Sequence, residues 1–149
     1  GALGAGNSLT ISAPIDSNNL DPDITTLSLK SGGNITQTAP INNVTNLAID
    51  ALGNVTLTNS SNSVSHLSVQ LPGGVTNPYS KFVNGGALNI GESNGSESIV
   101  DDVPVGITRS AAIGGSYCSS SLDGVISLTA GGALTQSSAA LLAGKAVYA

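Results

Sequence analysis

The side chains able to do chemistry are few and scattered along this sequence. Asp101-Asp102 is the only adjacent acidic pair, with Glu92, Glu97 and Arg109 nearby. Clustered carboxylates with a cation are what glycosidic-bond cleavage would need. Consecutive strand residues face opposite ways, however, so the two Asp side chains would share a face only in a loop. Aromatic platforms for a sugar are scarce too, with three Tyr, one Phe and no Trp. These acidic residues read as solvated loop charge, and no enzyme is expected. His66 is the only His, so no nucleophile–His–carboxylate arrangement can be argued from the sequence. Cys118 is the only Cys, which excludes an internal disulfide and a Cys-based zinc site. It is either an idle thiol or the donor of an intermolecular bond. The segment Asp16–Asp23 has the look of a calcium loop, but Leu20 stands where an oxygen ligand is needed and Asp21 where glycine is needed. No metal or cofactor is expected.

The elements that must hold these side chains are built from an unusual composition. The 149 residues include 19 Gly, only 9% are charged, and the net charge is -5. Four Lys and Arg cannot make a footprint for nucleic acid. No run approaches the ~18 apolar residues of a membrane-spanning helix. With 40% apolar residues the chain is too hydrophobic and too weakly charged for disorder. Its length suits one domain, 1–149. The first residues, Gly1-Ala2-Leu3-Gly4, hold no initiator Met and no basic, apolar leader, which suggests a leader already removed or an interior piece of a longer chain.

An internal repeat organises the chain. In steps of 20 residues, Ile24, Val44 and Val64 align, as do Leu27, Leu47 and Leu67. Leu29, Ile49 and Val69 form a third column, and Ile35, Val55 and Val75 a fourth. Gly33, Gly53 and Gly73 precede the last column, and Thr36, Thr56 and Thr76 follow it. Each unit reads as two short strands with a Gly-Asn or Gly-Gly corner between them. Alternation puts Leu27 and Leu29 on one face and Ser28 on the other. His66 falls in the column of Thr26 and Asn46 and should point outward. A unit this small cannot bury its own apolar face, so equivalent units must stack, turning the columns into aliphatic ladders.

The remainder follows the plan less strictly. Gly6–Ile15 resembles Gly33–Ile41, and Val125–Ser137 resembles Thr26–Thr38. The whole predicts an all-β, right-handed parallel β-helix of roughly six to seven coils of about 20 residues. Insertions are expected at about 77–86 and 91–123. An antiparallel sandwich would explain frequent turns but not the fixed period. A helical solenoid is excluded by the abundant Gly and the missing 3.6-residue period. Five Asn-x-Ser/Thr triplets, at Asn34, Asn43, Asn54, Asn59 and Asn94, are no real excess for this composition, and Asn34 and Asn54 read better as corner residues. Thr36/Thr38 and Thr56/Thr58 make a short Thr-x-Thr ladder of the kind that can bind ice, but it fades after two coils.

Gly33–Thr38, Gly53–Asn59 and Leu128–Ser137 resemble filamentous-haemagglutinin-type repeats, closely over Val55–Val69. The likeness is strong over 24–76 and 124–142 and loose elsewhere. It implies a β-helical segment of a large bacterial adhesin exported by two-partner secretion or as an autotransporter. It further implies passage through an outer-membrane transporter and display on the surface of a Gram-negative bacterium. The family's secretion domain is not evident in these residues. The resulting expectation is a rigid shaft whose loops attach to a glycan or protein of a host or neighbouring cell. Recognition usually lies in loops on a rigid scaffold, so Tyr79, Lys81, Arg109 and Tyr117 are the candidate contacts. The alternative is a self-assembling subunit, its β-helices stacked head to tail into an extracellular filament. A carbohydrate-active enzyme is the weakest reading, because the catalytic groups are missing.

Overall fold

Runs of three to eight residues rich in Val, Ile, Leu and Thr, broken by Gly, Asn and Pro, become short strands rather than helices. The computed structural model describes residues 6–19, 26–71, 79–91, 106–109, 125–136, 141–142 and 146–148. Its first strands are β1 (Leu9–Ile11), β2 (Ile15–Asp16), β3 (Thr26–Ser31), β4 (Ile35–Gln37), β5 (Ile41–Asn42) and β6 (Val44–Ala51). Next come β7 (Val55–Leu57), β8 (Val64–Leu71), β9 (Tyr79–Asn84), β10 (Leu88–Ile90) and β11 (Gly106–Arg109). Last are β12 (Val125–Ala130), β13 (Leu134–Gln136), β14 (Leu141–Leu142) and β15 (Ala146–Tyr148). The only helical element among the described residues is one 3-10 turn, Ser17–Asn19.

The protein is all-β, and every strand pairing among the described residues is parallel. Strands β1, β4, β7, β9, β12 and β15 form a six-stranded sheet in that order. Strands β3, β6, β8, β10, β11, β13 and β14 form a seven-stranded sheet, and β2 pairs with β5. The chain visits the six-, two- and seven-stranded sheets in turn twice, and all its later strands belong to the two large ones. Successive visits stack in register. Leu27 pairs with Leu47 and Leu47 with Leu67, Leu29 with Ile49 and Ile49 with Val69, Val44 with Val64, and Ile35 with Val55. Ile24 lies outside the described residues, and so does Val75, whose expected place beside Val55 is taken by Ser80.

The core is aliphatic around one ring. Ile35, Ile41, Leu47, Ile49, Val55, Leu57, Leu67 and Val69 are fully buried, and so, nearly, is Phe82, the only Phe. Each such side chain contributes about 1.5–3 kcal/mol by leaving water. Two inward columns of the six-stranded sheet carry polar interruptions. Ser80 stands between Val55 and Ile126, and Gln37 is paired with Ile11.

Several arrangements differ from the sequence expectations. Tyr79–Asn84, inside the segment read as an insertion at 77–86, is strand β9 between β7 and β12. The chain rejoins the sheet there, and only the pairing interval changes: Val55 meets Ser80. Gly106–Arg109, inside 91–123, is strand β11. Leu67 and Val69 are two apart, yet their partners are Ile90 and Ile107. Ile90 and Ile107 thus occupy adjacent inward positions beside β8. Gly91, with φ +121°, starts the departure while its N–H still donates to the Leu67 carbonyl at 2.9 Å. Val125–Ala130, whose sequence repeats that of β3, lies in the six-stranded sheet and not with β3. Ser28, read as facing away from the core, has a buried hydroxyl without a partner. Its column mates Ala48 and Ser68 are fully buried.

Candidate functional site

Asparagine side chains hold the corners that set the outer faces. The Asn34 Oδ1 accepts from the Asn54 N–H at 2.8 Å, and the Asn54 Oδ1 accepts from the Tyr79 N–H at 3.0 Å. Each corner amide thus takes the backbone donor of the strand stacked on it, a donor otherwise lost where the chain turns. Gly33 and Gly53 let these corners approach. A Cβ on Gly53 would sit 2.7 Å from the Gly33 carbonyl carbon. A second pair of amides is buried. The Asn62 Oδ1 accepts from the Ile41 N–H at 2.9 Å, and the Asn84 Oδ1 accepts from the Val64 N–H at 2.9 Å. Beside β5 the Asn62 side chain takes the Ile41 N–H, while the Ser63 N–H donates to the Ile41 carbonyl at 2.8 Å.

The corner that fixes Tyr79 also fixes a surface. Along β9, Ser80, Phe82 and Asn84 are buried, whereas Tyr79 is half-buried and Lys81 is exposed. The Lys81 Nζ lies 5.2 Å from the centroid of the Tyr79 ring, a cation–π contact. The register lines Lys81 up with Thr10, Thr36 and Thr56 on one side and Ser127 on the other. Thr10 is exposed, and Thr36, Thr56 and Ser127 are half-buried. The Thr10 and Thr36 hydroxyls are hydrogen-bonded at 3.1 Å.

The four residues singled out from the sequence do not form one cluster. Tyr79 and Lys81 share a strand and touch. Arg109 belongs to β11 in the seven-stranded sheet. Tyr117 lies outside the described residues. Sequence reasoning missed that Thr10, Thr36, Thr56, Lys81 and Ser127 make one row. The signal was an outward hydroxyl on successive short strands, but the intervals between them are uneven.

The other candidates are structural. His66 pairs with Asn46 and Asn89 in a column running from Thr26 to Thr135. It was expected to be an exposed surface residue, but it is half-buried, and its Nδ1 is buried without a partner. The Asn89 Nδ2 donates to Thr135 at 2.8 Å, and the Asn46 Nδ2 donates to Thr26 at 3.3 Å. Asp16 accepts from the Asn18 N–H at 3.0 Å and the Asn43 Nδ2 at 2.9 Å, so its carboxylate closes a turn. Asn43 itself adopts a φ of 56°, which Asn tolerates better than most residues. Among the described residues no three His, Cys, Asp or Glu side chains converge in a way that could hold a metal ion. No helix among them is long and apolar enough to cross a membrane. Asp101, Asp102 and Cys118 lie outside the described residues.

No family model matches the chain, and no curated protein or solved structure is significantly similar to it.

Proposed function

We propose that this chain is a segment of a right-handed parallel β-helix, of roughly six to seven coils, that serves as the rigid shaft of a secreted bacterial surface adhesin. The observation that carries the reading is the parallel register. Strands β3, β6 and β8 stack one rung apart in fixed columns, and the strands between them belong to the other sheets. Parallel strands joined by short corners wind into a solenoid, and right-handed crossovers are the rule. Such a body has a continuous aliphatic axis and polar outer faces, which suits a stiff spacer. The likeness of Gly33–Thr38 and Gly53–Asn59 to filamentous-haemagglutinin-type repeats favours export by a Gram-negative cell and attachment to a host or neighbouring cell.

The test is attachment. Latex beads coated with the purified chain should bind epithelial monolayers or bacterial lawns several-fold better than beads coated with albumin. Equal retention of the two bead types on every surface would overturn the adhesive reading.

A further inference from the structure

We propose that the outer face of the six-stranded sheet is a track for an extended carboxylated polysaccharide, with Lys81 as its anionic anchor. The proposal rests on the adhesive reading above and names the chemistry of its ligand.

The first observation is charge. Among the described residues the only carboxylates are Asp16 and Asp50, and they belong to the two-stranded and seven-stranded sheets. Lys81 is the only charged side chain described on the six-stranded sheet. It is exposed, and its ammonium lies over the Tyr79 ring. A cation placed on a neutral face of an acidic protein is complementary to one kind of partner, an anion.

The second observation is shape. Thr10, Thr36, Thr56, Lys81 and Ser127 stand on adjacent parallel strands in one row across the sheet. At the usual strand spacing the row is about 19 Å long. Its rungs recur at an interval comparable with the rise per sugar of an extended glycan. A chain laid along the row would meet a hydroxyl at four rungs and the ammonium at the rung between Thr56 and Ser127. Tyr79, held by Asn54 at the adjacent corner, offers ring surface for a pyranose beside the anchor.

Other ligands fit less well. A protein interface wants a desolvated aromatic or aliphatic core, and the described row is hydroxylic. Nucleic acid would need many cations to displace counterions, and among the described residues one stands on this face. Ice would need the hydroxyl lattice to run unbroken, and Lys81 and Val83 interrupt it. A wholly neutral glycan would desolvate the Lys81 ammonium without pairing it.

The experiment is calorimetric titration of the whole chain with polygalacturonate, its methyl-esterified form and dextran sulfate. Polygalacturonate should bind, and binding should weaken with salt. Lys81→Gln should lower the affinity about tenfold, the scale of one charge-assisted hydrogen bond. Thr56→Lys should raise it by adding a second cation to the row. Lys30→Gln, on the other large sheet, should leave it unchanged. Circular dichroism of each variant verifies the fold. Four outcomes would overturn the track: no binding of polygalacturonate, equal binding of the esterified polymer, binding of dextran sulfate alone, or equal loss in Lys30→Gln and Lys81→Gln. If polygalacturonate fails to bind while coated beads still adhere, the track falls and the adhesive reading stands. If the beads also fail to adhere, both fall.

Discussion

The side chains of Gln37 and Asn62 are joined by reciprocal hydrogen bonds. The Gln37 Nε2 donates to the Asn62 Oδ1 at 2.9 Å, and the Asn62 Nδ2 returns a bond to the Gln37 Oε1 at 2.9 Å. The pair joins the end of one short strand to the turn that follows the next. Asn62 also accepts from the Ile41 N–H and donates to the Val83 carbonyl, each at 2.9 Å. Its amide therefore makes four hydrogen bonds, two to Gln37 and one to Ile41 in the pass before and one to Val83 in the pass after, and it is 1% exposed.

Asn62→Ala should consequently be among the most damaging single changes outside the aliphatic core. It leaves the Ile41 N–H and the Val83 carbonyl without their side-chain partner in a site closed to water. The expected loss is about 3 kcal/mol, read from the urea midpoint at constant m-value. Asn62→Asp keeps the acceptor but loses both donated bonds and buries a charge, so it should do no better at neutral pH. A loss below about 1 kcal/mol for the alanine variant would show that the turn relaxes freely and that the amide pair does not organise it.

The glycines divide into two kinds, and substitution should separate them. A Cβ at Gly53 would meet the Gly33 carbonyl carbon at 2.7 Å and the Asn34 nitrogen at 2.8 Å, both backbone atoms that cannot swing away. A Cβ at Gly86 would meet nothing within 4 Å. Gly53→Ala should cost about 1–3 kcal/mol, as overpacking does. Gly86→Ala should be neutral or stabilise by about 0.5 kcal/mol through the unfolded chain. Thermal unfolding of the two variants side by side tests the contrast, which fails if they shift in the same direction by similar amounts.

That contrast also shows what was legible in the sequence. Parallel stacking could be read because Leu27, Leu47 and Leu67 recur at a constant interval and each must cover the next. The assignment of strands to sheets could not. Thr26–Gln37 and Val125–Gln136 share a pattern of long strand, Gly-Gly corner and short strand. Yet β3 lies in the seven-stranded sheet and β12 in the six-stranded one. Each passage between the two large sheets asks for the same local chemistry, so a local pattern cannot say which passage it makes. That depends on the rung already in place, a long-range contact. The shift enters between Leu71 and Tyr79, where the pairing interval changes and Ser80 comes to rest on Val55. The row through Lys81 was hidden for the same reason. Its members are separated by unequal lengths of chain, and only the register aligns them.

Ser80 follows from that shift. It occupies an inward column between Val55 and Ile126, is fully buried, and its hydroxyl has no partner. The hydroxyl loses its water on folding and recovers nothing. Ser80→Ala removes only that oxygen and should stabilise the protein by about 1 kcal/mol. The check is the urea midpoint against wild type. A destabilisation would mean that the hydroxyl's packing contacts outweigh its lost hydration.

Asp50 supplies a pH dependence of definite sign. Burial pushes its carboxyl above the ordinary value of 3.8, and the neighbouring Lys30 opposes the shift without cancelling it. Asp50 pairs with Lys30 on one side and Gln70 on the other, so no second acid shares its place in the ladder. With its affinity for the proton higher in the folded state, folding is favoured when the group is protonated. That stabilisation is complete below the unfolded value and is lost as pH rises through the folded one. At pH 7 the folded protein therefore carries a partly buried carboxylate at a net cost. Asp50→Asn, which mimics the neutral acid, should be the more stable of the two at pH 7. The difference should stay below about 1 kcal/mol, because the site is open to solvent on one side. It should shrink toward zero near pH 3, where the wild-type carboxyl is itself protonated. Paired urea titrations from pH 3 to pH 7 follow the difference directly. A variant less stable than wild type at pH 7 would mean that attraction to Lys30 outweighs the burial of the charge.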